Sequence, residues 1–215
     1  MAQPSSPGDG DLPEAVGECL RGGSAAARAR LVLLHGWGAD ADDLLDLGEL
    51  LAGPGVDIVA LRAPEAHPAG VGRQWYGLQP IDWSALPAAR VALRRRIEAL
   101  AASVPIQRTV LLGFSQGGAM ALDVGSDLPL AGIVACSGYP HADWEPAAGA
   151  ERPLPPVLLS HGREDPVVPF AAGEAVLRRL RTAGGEASLL PFSGGHSIDP
   201  ALLPQIAAFV GARLA

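Results

Sequence analysis

From residue 29 to the end of the chain, short and continuously apolar runs take turns with longer amphipathic ones. The short runs cover 29–34, 56–61, 109–112, 130–136, 157–160 and 187–192. Most of them do not alternate apolar with polar residues, as a strand with one wet face would. Continuous apolarity marks strands covered on both faces, the condition of a parallel sheet. The longer segments, near 42–52, 84–102, 116–126, 170–183 and 200–213, read as helices. In the second of these, Val91, Leu93, Ile97 and Leu100 carry an apolar face, and Arg90, Arg94, Arg95 and Arg96 are expected in water. Pro87 and Pro169 suit first turns of helices, and Gly184-Gly185 suits a helix stop. Strand–helix–strand alternation predicts an α/β fold: a mostly parallel central sheet with helices on both faces. In such sheets function gathers at the carboxyl ends of the strands, so the residues that follow each strand carry the most information.

Composition sets the limits of this reading. Hydrophobic residues make up 48% of the 215 and charged residues 18%, enough for one buried core and too little charge for a disordered chain. Residues 1–12, rich in Pro, Ser, Gly and Asp, read as a mobile tail, and 13–215 as a single domain with no large cap. Residues 13–28 fit either a short helix or edge strands. A net charge of −7 argues against partners with a phosphate backbone or an anionic membrane surface. The N-terminus has neither the basic nor the apolar region of a signal peptide, and no apolar run reaches the roughly 20 residues of a membrane span. The expectation is therefore a cytoplasmic protein with no stable membrane insertion. The two cysteines, Cys19 and Cys136, are expected to be free thiols. No histidine pair has metal-ligand spacing, so neither a metal nor another cofactor is expected.

After the run 109–112 comes Gly113-Phe114-Ser115-Gln116-Gly117-Gly118. This is G-x-S-x-G between a strand and a helix, the context that a nucleophile elbow requires. A sharp turn there strains the serine backbone and exposes its hydroxyl, and positions 113 and 117 must lack side chains for the turn to close. The amide of Gln116 then sits at a helix N-terminus, where N–H groups favour developing negative charge. The bland alternative is a glycine-rich turn with an incidental serine.

A serine hydroxyl is a weak nucleophile and needs a base. The expected chain order is Ser, then acid, then His. His161-Gly162-Arg163-Glu164-Asp165-Pro166 follows the run 157–160, and Ser193-Gly194-Gly195-His196 follows 187–192. Asp165 is the candidate acid, holding the imidazole of His196 in one tautomer. Glu164 is its chemically similar neighbour, read as a solvated loop carboxylate. His161 precedes the acid and is read as a loop-packing residue; His67 and His141, in Pro-rich loops, are read as surface residues. A second oxyanion donor is sought after the first strand, in His35-Gly36-Trp37-Gly38-Ala39-Asp40. The amide of Trp37 is the first candidate and that of Gly38 the second. An ordinary strand-to-helix turn is the alternative.

Together, His35-Gly36-x-Gly38-Ala39-Asp40, Gly113 to Ala121, His161-Gly162-x-x-Asp165-x-Val167-Val168-Pro169 and Gly194-Gly195-His196 resemble the phospholipase/carboxylesterase family. That family includes acyl-protein thioesterases and small bacterial carboxylesterases. The similarity runs over residues 29–213 and implies an α/β-hydrolase fold. It implies Ser115, Asp165 and His196 as the triad, and Trp37 and Gln116 as oxyanion donors. It also makes Trp75 and Tyr76, in Arg73-Gln74-Trp75-Tyr76, candidates for the wall of the substrate site, with loop packing as their alternative role. Where relatives commonly carry an aliphatic residue, this chain has Trp37, whose indole is expected to narrow the acyl pocket. The loop 138–156, with Tyr139 and Trp144, is positioned to fold over the site.

The activity implied is hydrolysis of small or medium acyl esters through an acyl-enzyme, with lysophospholipase or acyl-protein thioesterase activity as the alternative. Its partner is a small-molecule ester or thioester. A homodimer is compatible with the sequence. A dienelactone-hydrolase-like enzyme would carry cysteine at the elbow and a dehalogenase aspartate; Ser115 argues against both. A peptidase is the remaining alternative, although the short chain leaves little room for a substantial cap. A non-catalytic binding protein on the same scaffold would leave the Ser, Asp and His unused.

Overall fold

A computed structural model describes residues 17–24, 26–146 and 153–215. The expected tail, 1–12, and residues 147–152 of the loop 138–156 lie outside these residues. The strands are β1 (Cys19–Gly23), β2 (Arg30–Leu34), β3 (Asp57–Leu61), β4 (Glu65–Ala66), β5 (Arg73–Gln74), β6 (Thr109–Phe114), β7 (Gly132–Cys136), β8 (Val157–Gly162) and β9 (Ala187–Phe192). The helices are α1 (Leu45–Ala52), α2 (Leu86–Leu100), α3 (Gln116–Gly125), α4 (Phe170–Thr182) and α5 (Leu203–Leu214). Seven strands form one sheet in the order β1-β3-β2-β6-β7-β8-β9, and β4 pairs with β5 in a separate ribbon. Every pairing in the large sheet is parallel except β1 with β3. The segment 13–28 thus supplies an antiparallel edge strand.

The inner strands β2, β3, β7 and β8 are buried at every residue, which is why their sequences read as continuous apolar runs. Period-two alternation sorts their side chains between two cores. Leu31, Leu33, Ile58, Val110 and Leu112 pack with Leu51, Ile206 and Val210 of α1 and α5. Val32, Leu34, Val59, Leu61 and Leu111 pack with Leu93, Ile97, Met120, Val176 and Leu180 of α2, α3 and α4. Helices therefore cover both faces. Among the described residues, no helix is long and apolar enough to cross a membrane, and Cys19 and Cys136 form no disulfide.

Two assignments on α2 change. Val91 is half exposed, whereas Arg96 is buried. Counting from Leu93, Arg96 falls at i+3 beside Ile97 at i+4 and Leu100 at i+7, on the buried stripe, and Val91 falls off it. Arg96 is tolerated there because its guanidinium donates to the carbonyls of Arg62 and Glu18, both at 2.7 Å. Pro87 lies in the first turn of α2, while Pro169 stands one place outside α4, at its N-cap. Gly184 ends α4 at φ 78°, with its amide on Arg181 O and that of Gly185 on Leu180 O. That pair of bonds satisfies the last carbonyls of the helix. Short 3₁₀ turns, Ala41–Leu44 and Pro200–Leu202, lead into α1 and α5, each capped by an aspartate, Asp40 and Asp199.

The chain leaves β2 in one direction to form β3, then returns to place β6 on the other side of β2. The carboxyl ends of β2 and β6 thus flank the point where the winding reverses, the preferred location for a ligand site in such a sheet.

Candidate active site

Ser115 occupies the turn between β6 and α3 with φ 53° and ψ −117°, a region that non-glycine residues rarely adopt. The flanking glycines explain how the chain tolerates it. A Cβ on Gly113 would lie 2.2 Å from the carbonyl oxygen of Gly117, and one on Gly117 2.1 Å from that of Leu34. The turn is closed on both sides by backbone, so no side chain fits.

Ser115 Oγ donates to His196 Nε2 at 2.8 Å, and His196 Nδ1 donates to Asp165 Oδ2 at 2.7 Å. The other carboxylate oxygen, Asp165 Oδ1, accepts the amides of Val167 and Val168, each at 2.8 Å. Burial alone would raise the Asp165 pKa. The bonds from His196 and the amides of Val168 and Val167 outweigh it and hold the carboxyl below its ordinary value. An ionised acid thus fixes the proton on His196 Nδ1 and leaves Nε2 free to accept from the serine. His196 stands between Asp165 and the ring of Phe114, whose centroid lies 5.0 Å away.

The neighbouring candidates take other places. Glu164 Oε2 accepts the amide of Gly194, which ties the loop carrying His196 to the loop carrying Asp165. It is a bracing group, not the freely solvated carboxylate expected. His161 is buried; its Nε2 donates to Val168 O at 2.8 Å, and its ring meets the edge of Phe170.

In the turn after β2 the two candidate amides differ in what they already bond. The Gly38 amide already donates to Arg73 O at 2.9 Å, which removes it as a donor to a ligand. Among the described residues the Trp37 amide has no acceptor. Gln116 is the first residue of α3, where an amide has no partner within its own helix. His35 fixes the turn from below. Its Nε2 accepts the amide of Ala63 at 3.1 Å, so its proton is on Nδ1, which donates to Gly36 O at 2.8 Å. Burial lowers the His35 pKa and keeps the ring in this neutral form.

Trp75 and Tyr76, expected at the substrate wall, are instead core residues at 2% and 0% exposure. Trp75 Nε1 donates to His35 O at 2.9 Å. The Gln116 side chain joins both residues to α3: Oε1 accepts the Trp75 amide at 3.0 Å and Nε2 donates to Tyr76 O at 2.8 Å. Their packing role prevails because the segment carrying them lies beneath the elbow. His141 is likewise no surface residue. At 1% exposure, it donates from Nδ1 to Asp123 Oδ2 at 2.6 Å and accepts from the Tyr76 hydroxyl at 2.8 Å. Within the described part of the loop 138–156, Trp144 is buried in the core, and Arg179 of α4 donates to the carbonyls of His141 and Trp144.

An open space next to Phe114, the neighbour of the serine in the chain, lies on the other face of the sheet. A cavity of about 290 Å³ is lined by Asp43, Leu44, Leu47, Phe114, Ile198 and Leu203. None of these was assigned to a substrate site from the sequence. Phe114 and Ile198 stand within two places of Ser115 and His196, and that adjacency was the available signal. The Trp37 indole is held by Gln74 Oε1 at 2.8 Å and by the ring of His67, and it does not line this cavity.

With this geometry established, comparison with known proteins identifies the family. The family model described as Phospholipase/Carboxylesterase matches residues 19–214. An acyl-protein thioesterase 1 from Eremothecium gossypii is 32% identical over 149 residues, 66% of this chain and 63% of that protein. Esterase YpfH from Escherichia coli is 31% identical over 184 residues, 80% of this chain and 78% of the esterase. A second acyl-protein thioesterase 1, from Gibberella zeae, aligns over only 49% of its length, so the chain spans about half to two thirds of these thioesterases. The crystal structure of esterase PE8 superposes with a TM-score of 0.82 at 34% identity, covering 92% of this chain and 98% of that one. The α/β-hydrolase architecture, the serine elbow and a match over nearly the whole chain agree: this protein belongs to the phospholipase/carboxylesterase family.

Proposed function

We propose that the chain hydrolyses carboxylic esters of small to medium acyl length through an acyl-enzyme on Ser115. The observation that carries this reading is the unbroken chain from Ser115 Oγ through His196 to Asp165, with the serine held at φ 53°. In the first step His196 Nε2 takes the hydroxyl proton while Oγ forms a bond to the carbonyl carbon. The carbonyl oxygen becomes an oxyanion, held by the amides of Trp37 and Gln116. Collapse breaks the bond to the alcohol, which leaves with the proton from His196. Water then adds to the acyl-enzyme by the same route, its proton passing through His196, and releases the acid. The Asp165 carboxylate stabilises the imidazolium in both halves.

The cavity lined by Leu44, Leu47, Phe114, Ile198 and Leu203 is the proposed seat for the apolar part of the substrate. Its walls are aliphatic and aromatic, which suits an acyl chain, and its size favours short and medium chains over long ones. Acyl thioesters are the second reading, favoured by the thioesterase names of the relatives. They need no other residues, because a thiolate leaves more readily than an alkoxide.

The test is a kcat/KM series on p-nitrophenyl esters of increasing acyl length and on one acyl thioester, with Ser115→Ala as control. Loss of the serine is expected to reduce turnover by about 10⁶ while the thermal midpoint is retained. Substantial hydrolysis by a pure Ser115→Ala preparation would overturn the assignment.

A further inference from the structure

The Trp37 peptide group lies between Gly36 and Gly38, residues whose backbones rotate more freely than any other. A turn of that composition does not hold one amide in one direction by itself. An oxyanion donor must be fixed before the reaction to be effective. The groups that fix it here lie on the β4–β5 ribbon, which contributes nothing to the Ser115–His196–Asp165 chain.

The contacts are specific. Gly38 N–H donates to Arg73 O at 2.9 Å, and Arg73 N–H donates back to Ala39 O at 2.8 Å. The approach is so close that a Cβ on Gly72 would stand 2.0 Å from Gly38 O. The Trp37 indole N–H reaches over to Gln74 Oε1 at 2.8 Å, and its ring meets His67 edge-on at 4.2 Å. Gln74 is buried at 7% exposure and donates from Nε2 to Glu65 Oε2 at 3.2 Å, across the register pair Glu65↔Gln74. An indole offers only a donor and a carboxylate only acceptors, so both ends of the Gln74 amide are matched and its reversal would break both bonds. Arg73 anchors the ribbon in turn, donating to Ala63 O at 2.9 Å and to Pro64 O. From the opposite side His35 holds Gly36 O. That carbonyl belongs to the same planar peptide as the Trp37 N–H, so fixing the oxygen and the indole together fixes the direction of the amide.

We propose that Gln74 is a positioning residue for the oxyanion hole: through the Trp37 indole it holds the Gly36–Trp37 peptide in the orientation that accepts a developing oxyanion. This rests on the reading of Ser115 as nucleophile and the Trp37 amide as donor. The indole at position 37 is then an anchor whose purpose is to steer its own backbone. It takes no part in shaping the acyl cavity.

The experiment compares Trp37→Phe, Gln74→Met and the double variant. Trp37→Phe keeps an aromatic ring and deletes the N–H. The concentration of competent sites is titrated with a p-nitrophenyl phosphonate, so misfolded protein does not enter kcat. Each single variant is expected to lose about ten- to a hundredfold in kcat on p-nitrophenyl butyrate, the scale of a misplaced donor, with KM within about twofold. The Ki of a boronic acid, whose tetrahedral adduct places an oxygen where the oxyanion forms, is expected to rise by the same factor. The double variant is expected to be no worse than the weaker single. Single losses that multiply in the double variant, or an unchanged kcat and Ki per titrated site with only a lower thermal midpoint, would overturn the proposal. Wild-type protein that does not react with the phosphonate would instead overturn the underlying reading of Ser115.

Discussion

Replacing Asp165 by Asn changes one atom and tests the direction of every hydrogen bond in the site. Asp165 Oδ1 accepts two amides, those of Val167 and Val168, so an asparagine must keep its oxygen there. Its NH₂ is then forced into the place of Oδ2, 2.7 Å from His196 Nδ1. A donor in that place demands an acceptor, and His196 answers by moving its proton to Nε2. The ring nitrogen that faces Ser115 Oγ at 2.8 Å now carries hydrogen and cannot take the hydroxyl proton. The same exchange in the Ser-His-Asp template costs about 10⁴ in kcat, equivalent to about 5.5 kcal/mol at 1.36 kcal/mol per tenfold. Because Asn is isosteric and both backbone amides keep their acceptor, the fold survives. The assay is kcat on a short p-nitrophenyl ester, with the thermal midpoint measured in parallel and Glu164→Gln as comparison. Among the described residues the Glu164 side chain bonds the Gly194 amide alone, so its variant keeps turnover within about tenfold. An Asp165→Asn enzyme retaining more than about a tenth of wild-type kcat, with Glu164→Gln the more damaged of the two, would refute the reasoning and make Glu164 the acid.

Other outcomes follow from the same structure. The depressed pKa of Asp165 contributes stability that is present above the unfolded value of about 3.9 and is lost as pH falls through the lower folded value. The loss of stability on acidification, measured by urea unfolding with circular dichroism at neutral pH and near pH 3, is therefore expected to be smaller in Asp165→Asn than in wild type, because the variant has no carboxylate to protonate. Arg30→Met strips a fully buried guanidinium from Asp57 while Arg21 remains beside the carboxylate. It should cost about 3 kcal/mol in urea unfolding and leave kcat per folded molecule unchanged. Leu203→Trp fills the cavity beside Phe114 and Ile198, so kcat/KM for longer acyl esters should fall while p-nitrophenyl acetate is hydrolysed as before.

The sheet and the chemistry-bearing loops were legible because each is written locally. Continuous burial of β2, β3, β7 and β8 leaves an unbroken apolar run, and the elbow needs its two glycines within two places of the serine. What depends on residues far apart in the chain was not legible. Trp75 and Tyr76 resemble binding residues in composition, but their burial is decided by Gln116, 40 or more places away, whose side-chain amide joins them to α3. His141 sits among prolines, as a surface residue would, yet Asp123 and Tyr76 draw it inside. Arg96 was misplaced for a simpler reason: helical periodicity put it on the buried stripe, and its charge was allowed to outvote its position.

The molecule contains a second Asp–His–hydroxyl chain, and it contrasts with the one proposed to be reactive. Asp123 Oδ2 accepts from His141, His141 Nε2 accepts from Tyr76, and the Tyr76 oxygen lies 2.6 Å from that of Tyr139. The order of groups matches Asp165–His196–Ser115, and the distances are as short. The differences are environmental. The side chain of His141 is fully buried, whereas that of His196 is 17% exposed. Burial raises the pKa of both phenols, first for Tyr76 and also for Tyr139, so they remain protonated and each hydroxyl is spent on another group of the chain. Asp123 also receives Arg90 at 2.6 Å, which fixes α2 to α3. That network joins α2, α3 and the loop after β7, with Tyr76 and His141 buried inside it. Ser115 differs in standing on a strained turn at the point where the sheet reverses its winding, with an open cavity beside its neighbour Phe114. Access and backbone strain, more than the order of an Asp–His–hydroxyl chain, are the features on which the proposed role of Ser115 rests.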